Sequence, residues 1–188
     1  MILANVDLKI LIFLAAAVLF LILFALNRRS KRKQHFRKIG GIVQLKKSIG
    51  QSVEDGNRLH VSLGSAGLPG ETAASGLAGL AALNGIAQFS SLGDFPPVST
   101  SGNGSLALLG KEILRRAFTN TGTEDLFDAD NARMAGVTPF SYALGTIPVM
   151  RADKVSTNLL VGNFGPEAAY MSDAADKEGT FILGASDS

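Results

Sequence analysis

Spaced by its apolar positions, the chain falls into one long unbroken run and then a succession of short ones. Ile10 to Leu26, ILIFLAAAVLFLILFAL, holds no charged or polar side chain, no Gly and no Pro. Such a helix is apolar all round and rises about 25 Å at ~1.5 Å per residue. The hydrocarbon core of a bilayer is about 30 Å thick. Leu8 and the stem of Lys9 lengthen the span, with the ammonium reaching the headgroups. The pattern predicts an uncleaved transmembrane helix. A cleaved signal peptide fits less well, because the positive charge follows the run and no small-x-small site lies beyond Leu26.

After this run the periods are short. Gly40-Gly41 is a place for the helix leaving the membrane to break. Val43 to Val53 is compatible with a short amphipathic helix or an extended linker. Arg58 to Leu63 alternates polar and apolar and predicts a strand. Thr72 to Phe89, TAASGLAGLAALNGIAQF, predicts a helix rich in small residues, whose glycines each cost up to ~1 kcal/mol against Ala unless close packing offsets them. Phe95 to Thr100 is extended. Ser101 to Ser105 is a turn with Ser105 as N-cap. Leu106 to Thr119 is an amphipathic helix with basic residues toward its C-terminal end, as the helix dipole favours. Asp125 to Arg133 is a short helix or a loop, and Pro139 to Met150 a strand or a helical segment. Thr157 to Val161 is a strand. Pro166 suits a first helical turn, Glu167 to Lys177 forms that helix, and Gly179 ends it. Thr180 to Leu183 is a last strand, and a chain stopping so soon after it, at Ser188, suggests a fragment of a longer polypeptide.

The recurring unit is strand, glycine-containing loop, helix. It predicts an α/β layered domain with a largely parallel sheet of three to five strands, following the N-terminal transmembrane helix. The division expected is an anchor over 1–27, a basic juxtamembrane collar and linker over 28–56, and the α/β domain over 57–188, which is large enough to bury a core.

Charge sharpens this division. The net charge of +2 and pI near 9.0 describe the collar rather than the body. Arg28, Arg29, Lys31, Arg32, Lys33, Arg37 and Lys38 crowd the exit of the apolar run, whereas only Lys9, countered by Asp7, precedes it. The positive-inside rule then places the N-terminus outside and the C-terminal domain in the cytoplasm, as a single-pass protein of the cell inner membrane. The seven collar cations form a membrane surface that attracts anionic lipid, about 1 kcal/mol per residue near the headgroups. From Gly50 onward, eight basic residues face fifteen acidic ones, about seven negative charges in excess. No basic face is visible on the domain, so nucleic acid is not an expected partner. The chain has no Cys, which removes disulfides, thiolate chemistry and Cys-ligated metals.

Candidate chemistry rests on the glycine turns. Strand ends running into Gly/Ser-rich turns can aim backbone N–H groups at a phosphate, and in open α/β sheets such turns gather at the carboxyl edge. The ligand-binding candidates are Gly64, Ser65 and Gly67; Ser101, Gly102 and Asn103; and Gly162, Asn163 and Gly165. The weight of the pattern nevertheless favours turns and helix packing over a ligand. Gly64, Gly67 and Gly70 do not make G-x-G-x-x-G, and Glu71-Thr72 stands where a P-loop needs Lys. Glu167 in a first helical turn suits the dipole. His35 and His60 form no ligand spacing. Asp125, Asp128 and Asp130 lack the Gly and terminal Glu of a calcium loop. No catalytic set, metal site or cofactor is predicted.

Arg58-Leu-His-Val-Ser-Leu-Gly-Ser-Ala-Gly-Leu68, the Ala/Gly-rich helix after it and Leu160-Val-Gly-Asn-Phe-Gly-Pro-Glu167, with the N-terminal anchor, resemble an uncharacterised family of bacterial membrane proteins. That family is a domain of unknown function found notably in Chloroflexi-type bacteria. The resemblance covers most of residues 1–188. It implies more sequence beyond Ser188, with further hydrophobic segments, and supplies no activity and no site residues.

Together these readings predict a non-enzymatic, membrane-anchored assembly protein, either a homo-oligomer or a subunit of a membrane complex. A nucleotide- or phosphate-binding domain, enzymatic or not, using the glycine turns is the alternative.

Overall fold

The computed structural model describes residues 8–29, 39–90, 95–152 and 154–188. Two compact units result, 1–38 and 39–188. Within the first, α1 is a helix over Leu8–Arg29. Its side chains are described over residues 10–25, sixteen in all, and each is exposed. Among the described residues no helix is long and apolar enough to cross a membrane. The two observations differ in extent. The described apolar side chains account for about 24 Å of rise and the helical backbone for about 33 Å, so a spanning anchor is not established by the fold. The collar residues Lys31, Arg32, Lys33, Arg37 and Lys38 lie outside the described residues. Arg28 and Arg29 end α1, and their side chains also lie outside the description.

The second unit is the expected α/β domain. It contains α2 (Gly40–Glu54), β1 (Arg58–Gly64), α3 (Ala73–Ser90), β2 (Val98–Ser101), α4 (Gly104–Thr121), β3 (Ala132–Met134), α5 (Pro139–Ala152), β4 (Val155–Asn163), α6 (Glu167–Lys177) and β5 (Phe181–Ser186). The sheet order is β3-β2-β1-β4-β5, and every neighbouring pair is parallel. Its three central strands, β2, β1 and β4, are largely buried on both faces, as parallel strands under helices are.

Alternation along β1 sorts the two faces. Leu59, Val61 and Leu63 join Leu80, Leu83, Ile86 and Ala87 of α3 with Leu106, Leu114 and Ala117 of α4 in one apolar core. Leu45 and Ile49 of α2 pack against the same core. On the opposite face, Tyr142, Ala143 and Met150 of α5 meet Leu160, Phe164, Met171 and Ala175.

Several local expectations change. The segment 43–53, open between helix and linker, belongs to α2. It lies in the span read as collar and linker, and it falls within the second compact unit. Gly40 and Gly41 open this helix. An added Cβ at Gly41 would stand 3.0 Å from the Leu183 side chain. The N-cap of α4 is Asn103, whose side chain accepts from the Ser105 N–H at 2.9 Å, and not Ser105 itself. The last turn of α4 holds no basic residue. Arg115 and Arg116 instead pair with Glu112 one turn back. Their hydrogen bonds bring its carboxyl down to about 2.

The small residues of α3 have a packing reason. A Cβ on Gly79 would stand 2.4 Å from the Val161 carbonyl oxygen on β4, and one on Gly76 would stand 3.3 Å from the Leu106 side chain. Gly85 has nothing within 4 Å of that position. Gly79→Ala should therefore destabilise the domain by about 1–3 kcal/mol through overpacking. Gly85→Ala should stabilise it by up to ~1 kcal/mol through helix propensity. Urea unfolding of the two variants beside the parent protein checks both signs.

Candidate functional site

The order of the strands places a reversal between β1 and β4. From β1 the chain winds outward through β2 to β3, then returns by α5 to β4 on the other side of β1. Ligands of open α/β sheets bind at the carboxyl ends of strands flanking such a reversal. The three predicted glycine turns stand at that edge, after β1, β2 and β4.

Two neighbouring turns join β1 and β4 directly. The Ser65 N–H donates to the Asn163 carbonyl at 3.0 Å. Gly64 has φ +70 and Gly162 φ +154. A Cβ on Gly64 would stand 2.4 Å from the Asn163 oxygen, and one on Gly162 would stand 2.2 Å from the Leu63 oxygen. The turn after β2 is tied in as well, with the Gly102 N–H donating to the Gly64 carbonyl at 2.8 Å. Ser101 accepts from the Ala135 N–H and donates from its hydroxyl to the Asn103 carbonyl. Asn163 donates from Nδ2 to Asp187 at 2.9 Å, and that bond, with one from Ser75, lowers the Asp187 carboxyl below its usual range. Gly67 stays local, its N–H donating to Thr72 Oγ1. Gly165 lies beside Glu167, where a Cβ would be 3.1 Å from Oε2. The glycines thus allow strand ends to touch. The N–H groups of Gly64, Ser65, Gly67 and Gly102 already donate to partners within the chain.

Beneath this edge lies a feature that sequence reasoning missed. The α5/α6 face of the sheet carries a buried polar chain in its middle. Thr180 Oγ1 donates to the Ala175 carbonyl and accepts from Asn158 Nδ2 at 3.0 Å. Asn158 Oδ1 faces His60 Nδ1 at 3.0 Å, and His60 Nε2 faces Thr100 Oγ1 at 2.9 Å. With Asn158 Oδ1 as acceptor, the imidazole carries its proton on Nδ1 and accepts from the Thr100 hydroxyl. The Tyr142 hydroxyl meets Ser62 Oγ at 2.6 Å, accepts from the Gly64 N–H at 3.2 Å and donates to the Thr100 carbonyl at 3.2 Å. Burial pushes the Tyr142 phenol up. Burial also brings His60 down to about 4, against the opposing Asn158 bond and with help from the Arg133 charge. A charged imidazole would be desolvated there, so the neutral form is favoured. Position 60 had signalled a strand; its partners come from two other strands, which periodicity does not identify.

Glu167 closes this region at the start of α6. It is 1% exposed, and neither carboxyl oxygen has a hydrogen-bond partner among the described residues. The dipole reading holds for its place in the first turn, but it does not account for burial. Asp125, Asp128 and Asp130 fall on two 3-10 turns before β3, where Asp128 caps the Asp130 N–H. Among the described residues no group of three or more His, Asp or Glu could hold a metal ion.

These features define a class: a five-stranded, doubly wound parallel α/β domain whose crevice is joined edge to edge and whose polar core is internal. More particularly, the chain belongs to the family described as "Domain of unknown function (DUF6754)", which matches residues 3–188. No curated protein and no solved structure matches it.

Two outcomes follow from the polar core. The folded His60 titrates near 4 and the unfolded one near 6.5, so the unfolded chain binds more protons between those values. The stability it contributes is complete above pH 6.5 and is lost as pH falls to 4, by on the order of 3 kcal/mol. Denaturant titrations at steps across that window should show the slope, and His60→Gln should flatten it. Glu167→Gln should raise stability at pH 7 by about 1 kcal/mol, because an amide costs less to bury than an unpartnered carboxylate; a loss in the same assay would show that the carboxylate has a stabilising role.

Proposed function

We propose that this chain is a single-pass, membrane-anchored assembly protein of bacterial type. In this reading α1 spans the cell inner membrane with its N-terminus outside, and the α/β domain lies in the cytoplasm. There it engages copies of itself or a larger membrane complex, while the basic collar contacts anionic lipid. One observation carries the reading: residues 10–25 of α1 are all exposed and none is polar, with Phe13 77% exposed. A row of that kind is stable in hydrocarbon and costly in water. The internal polar core supports a non-enzymatic role, since its groups are committed to one another. The packing duties of Gly76 and Gly79 shift self-association away from the glycines of α3 and toward its exposed side chains.

A second reading is favoured by one observation, the convergence of three glycine turns at the sheet reversal. In it the rim takes a nucleotide or another phosphate compound. Glycine substitutions there would break the fold, so Asn103→Ala is the useful variant. A nucleotide-induced rise in melting temperature that this variant abolishes supports ligand binding.

For the leading reading, carbonate-washed membranes should retain the full chain. Leu19→Arg, which adds about 2.5–3.5 kcal/mol to insertion at a helix centre, should release or destabilise it. With no native Cys, Ser188→Cys should resist a membrane-impermeant maleimide in intact cells. Recovery of the parent chain in the soluble wash would overturn the anchor, and labelling at position 188 would overturn its orientation.

A further inference from the structure

Among the described residues, the second unit carries an open, almost wholly apolar groove. It runs between α2 and α3, has a volume of about 540 Å³ and is lined by Leu45, Ile49, Ala82, Ile86 and Phe89, with Lys46 at its side. Gly85 also lines it, with open space where a Cβ would stand. Beside it, Ile42 and Val43 of α2 and its N-cap residue Ile39 are exposed, Val43 to 63%, and Phe89 is 60% exposed. Ile39, Ile42, Val43 and Lys46 fall at i, i+3, i+4 and i+7, one stripe of a helix. The opposite side of α2 is taken up by the sheet, with Ser48 and Ser52 buried.

Charge decides the occupant. No Asp or Glu occurs between Asp7 and Glu54, and α3 holds no charged residue at all. Lys46 and Lys47 are therefore the charges beside the stripe, on a domain that is otherwise strongly acidic. An apolar helix face with lysines at its border suits the interface of an anionic bilayer, where acyl chains take the apolar side chains and headgroups take the ammonium groups. A second copy docked on the same stripe would bring two further lysines to the contact and no acid from the stripe, whereas headgroup phosphates supply the opposite charge. Nine residues, 30–38, separate α1 from Ile39, a reach of at most about 35 Å when fully extended.

We infer that the α2/α3 face docks on the anionic membrane surface, with Ile39, Ile42, Val43 and Phe89 entering the headgroup boundary and Lys46 and Lys47 pairing with lipid phosphates. The inference builds on the membrane-anchor reading, making the lipid face itself the first partner of the α/β domain.

The absence of Cys makes single probes clean. Val43→Cys, Phe89→Cys, Val137→Cys and Ala16→Cys, each carrying an environment-sensitive bimane, are compared in the full chain reconstituted into vesicles. One set holds equal parts phosphatidylcholine and phosphatidylglycerol, the other phosphatidylcholine alone. Val137 is 70% exposed, in the turn before α5. The expected result is a blue shift at 43 and 89 on the anionic vesicles only, lost with Lys46→Glu/Lys47→Glu, while 137 stays aqueous and 16 reports lipid in both sets. Aqueous emission at 43 and 89 with lipid emission at 16 overturns the docking and leaves the anchor standing. Aqueous emission at 16 overturns the anchor, and the docking then stands or falls on whether 43 and 89 still shift on anionic vesicles. A shift at 43 and 89 that appears in detergent and grows with protein concentration assigns the face to a second copy and overturns the lipid assignment.

Discussion

The His60 imidazole, bonded on both nitrogens, braces the domain. One ring nitrogen meets Asn158 on β4 and the other meets Thr100 on β2, so a single side chain of β1 ties the three central strands together. Because the ring lies fully buried, each bond forms in low dielectric, and an unmet partner would be costly. This bracing fixes the tautomer and gives Thr100 the donor role. The Tyr142 hydroxyl gives its proton to the Thr100 carbonyl and takes one from the Gly64 N–H, so the strand edge and α5 are fastened to the same network. The apolar core on the other face supplies bulk burial, whereas this chain of directed bonds supplies register.

That division of labour bears on the glycine turns. A rim able to cradle phosphate needs N–H groups pointing at open space. At this rim the N–H groups of Ser65 and Gly102 point at neighbouring strand ends, and Gly64 and Gly162 let backbones approach where a side chain would collide. The same residue type in the same place along a strand thus serves two ends, and the difference lies in the neighbour rather than in the turn. A ligand at this edge would have to compete with hydrogen bonds already made.

How much of this was legible in the sequence depends on where the information lies. Arg58 to Leu63 alternates, and the structure has a strand there because alternate side chains meet different helices. Glu167 to Lys177 was bounded by Pro166 and Gly179, both local signals, and the helix ends where they place it. β3 carries no such signal: Ala132-Arg133-Met134 is three residues long and exists through its register with Ser99 to Ser101. Residues 139–150 mix small, apolar and β-branched types, so their helix is decided by the sheet they cover. The polar core was beyond reach for a related reason. Ser62 and Tyr142 stand eighty positions apart, and no spacing rule connects them. The burial of Glu167 was equally hidden, since a carboxylate in a first helical turn reads as a solvated dipole partner.

The two ends of the charge distribution then have one physical account. In the proposed membrane arrangement, an acidic domain beside an anionic surface is repelled, and repulsion over a short tether would hold it away from the lipid. The run from Leu8 to Val53 contains no acid, so the cations of the collar and of α2 lie in sequence between the apolar helix and the first strand, while the acids of the domain lie outside its strands. Placing α2 on the domain's outer side, with its lysines outward and its serines against the sheet, carries that basic segment onto the folded unit instead of ending it at the tether. In the proposed docking α2 orients the domain as well as packing against it. It covers the apolar core through Leu45 and Ile49 while giving one side of an otherwise acidic domain the sign of charge that a lipid headgroup layer attracts.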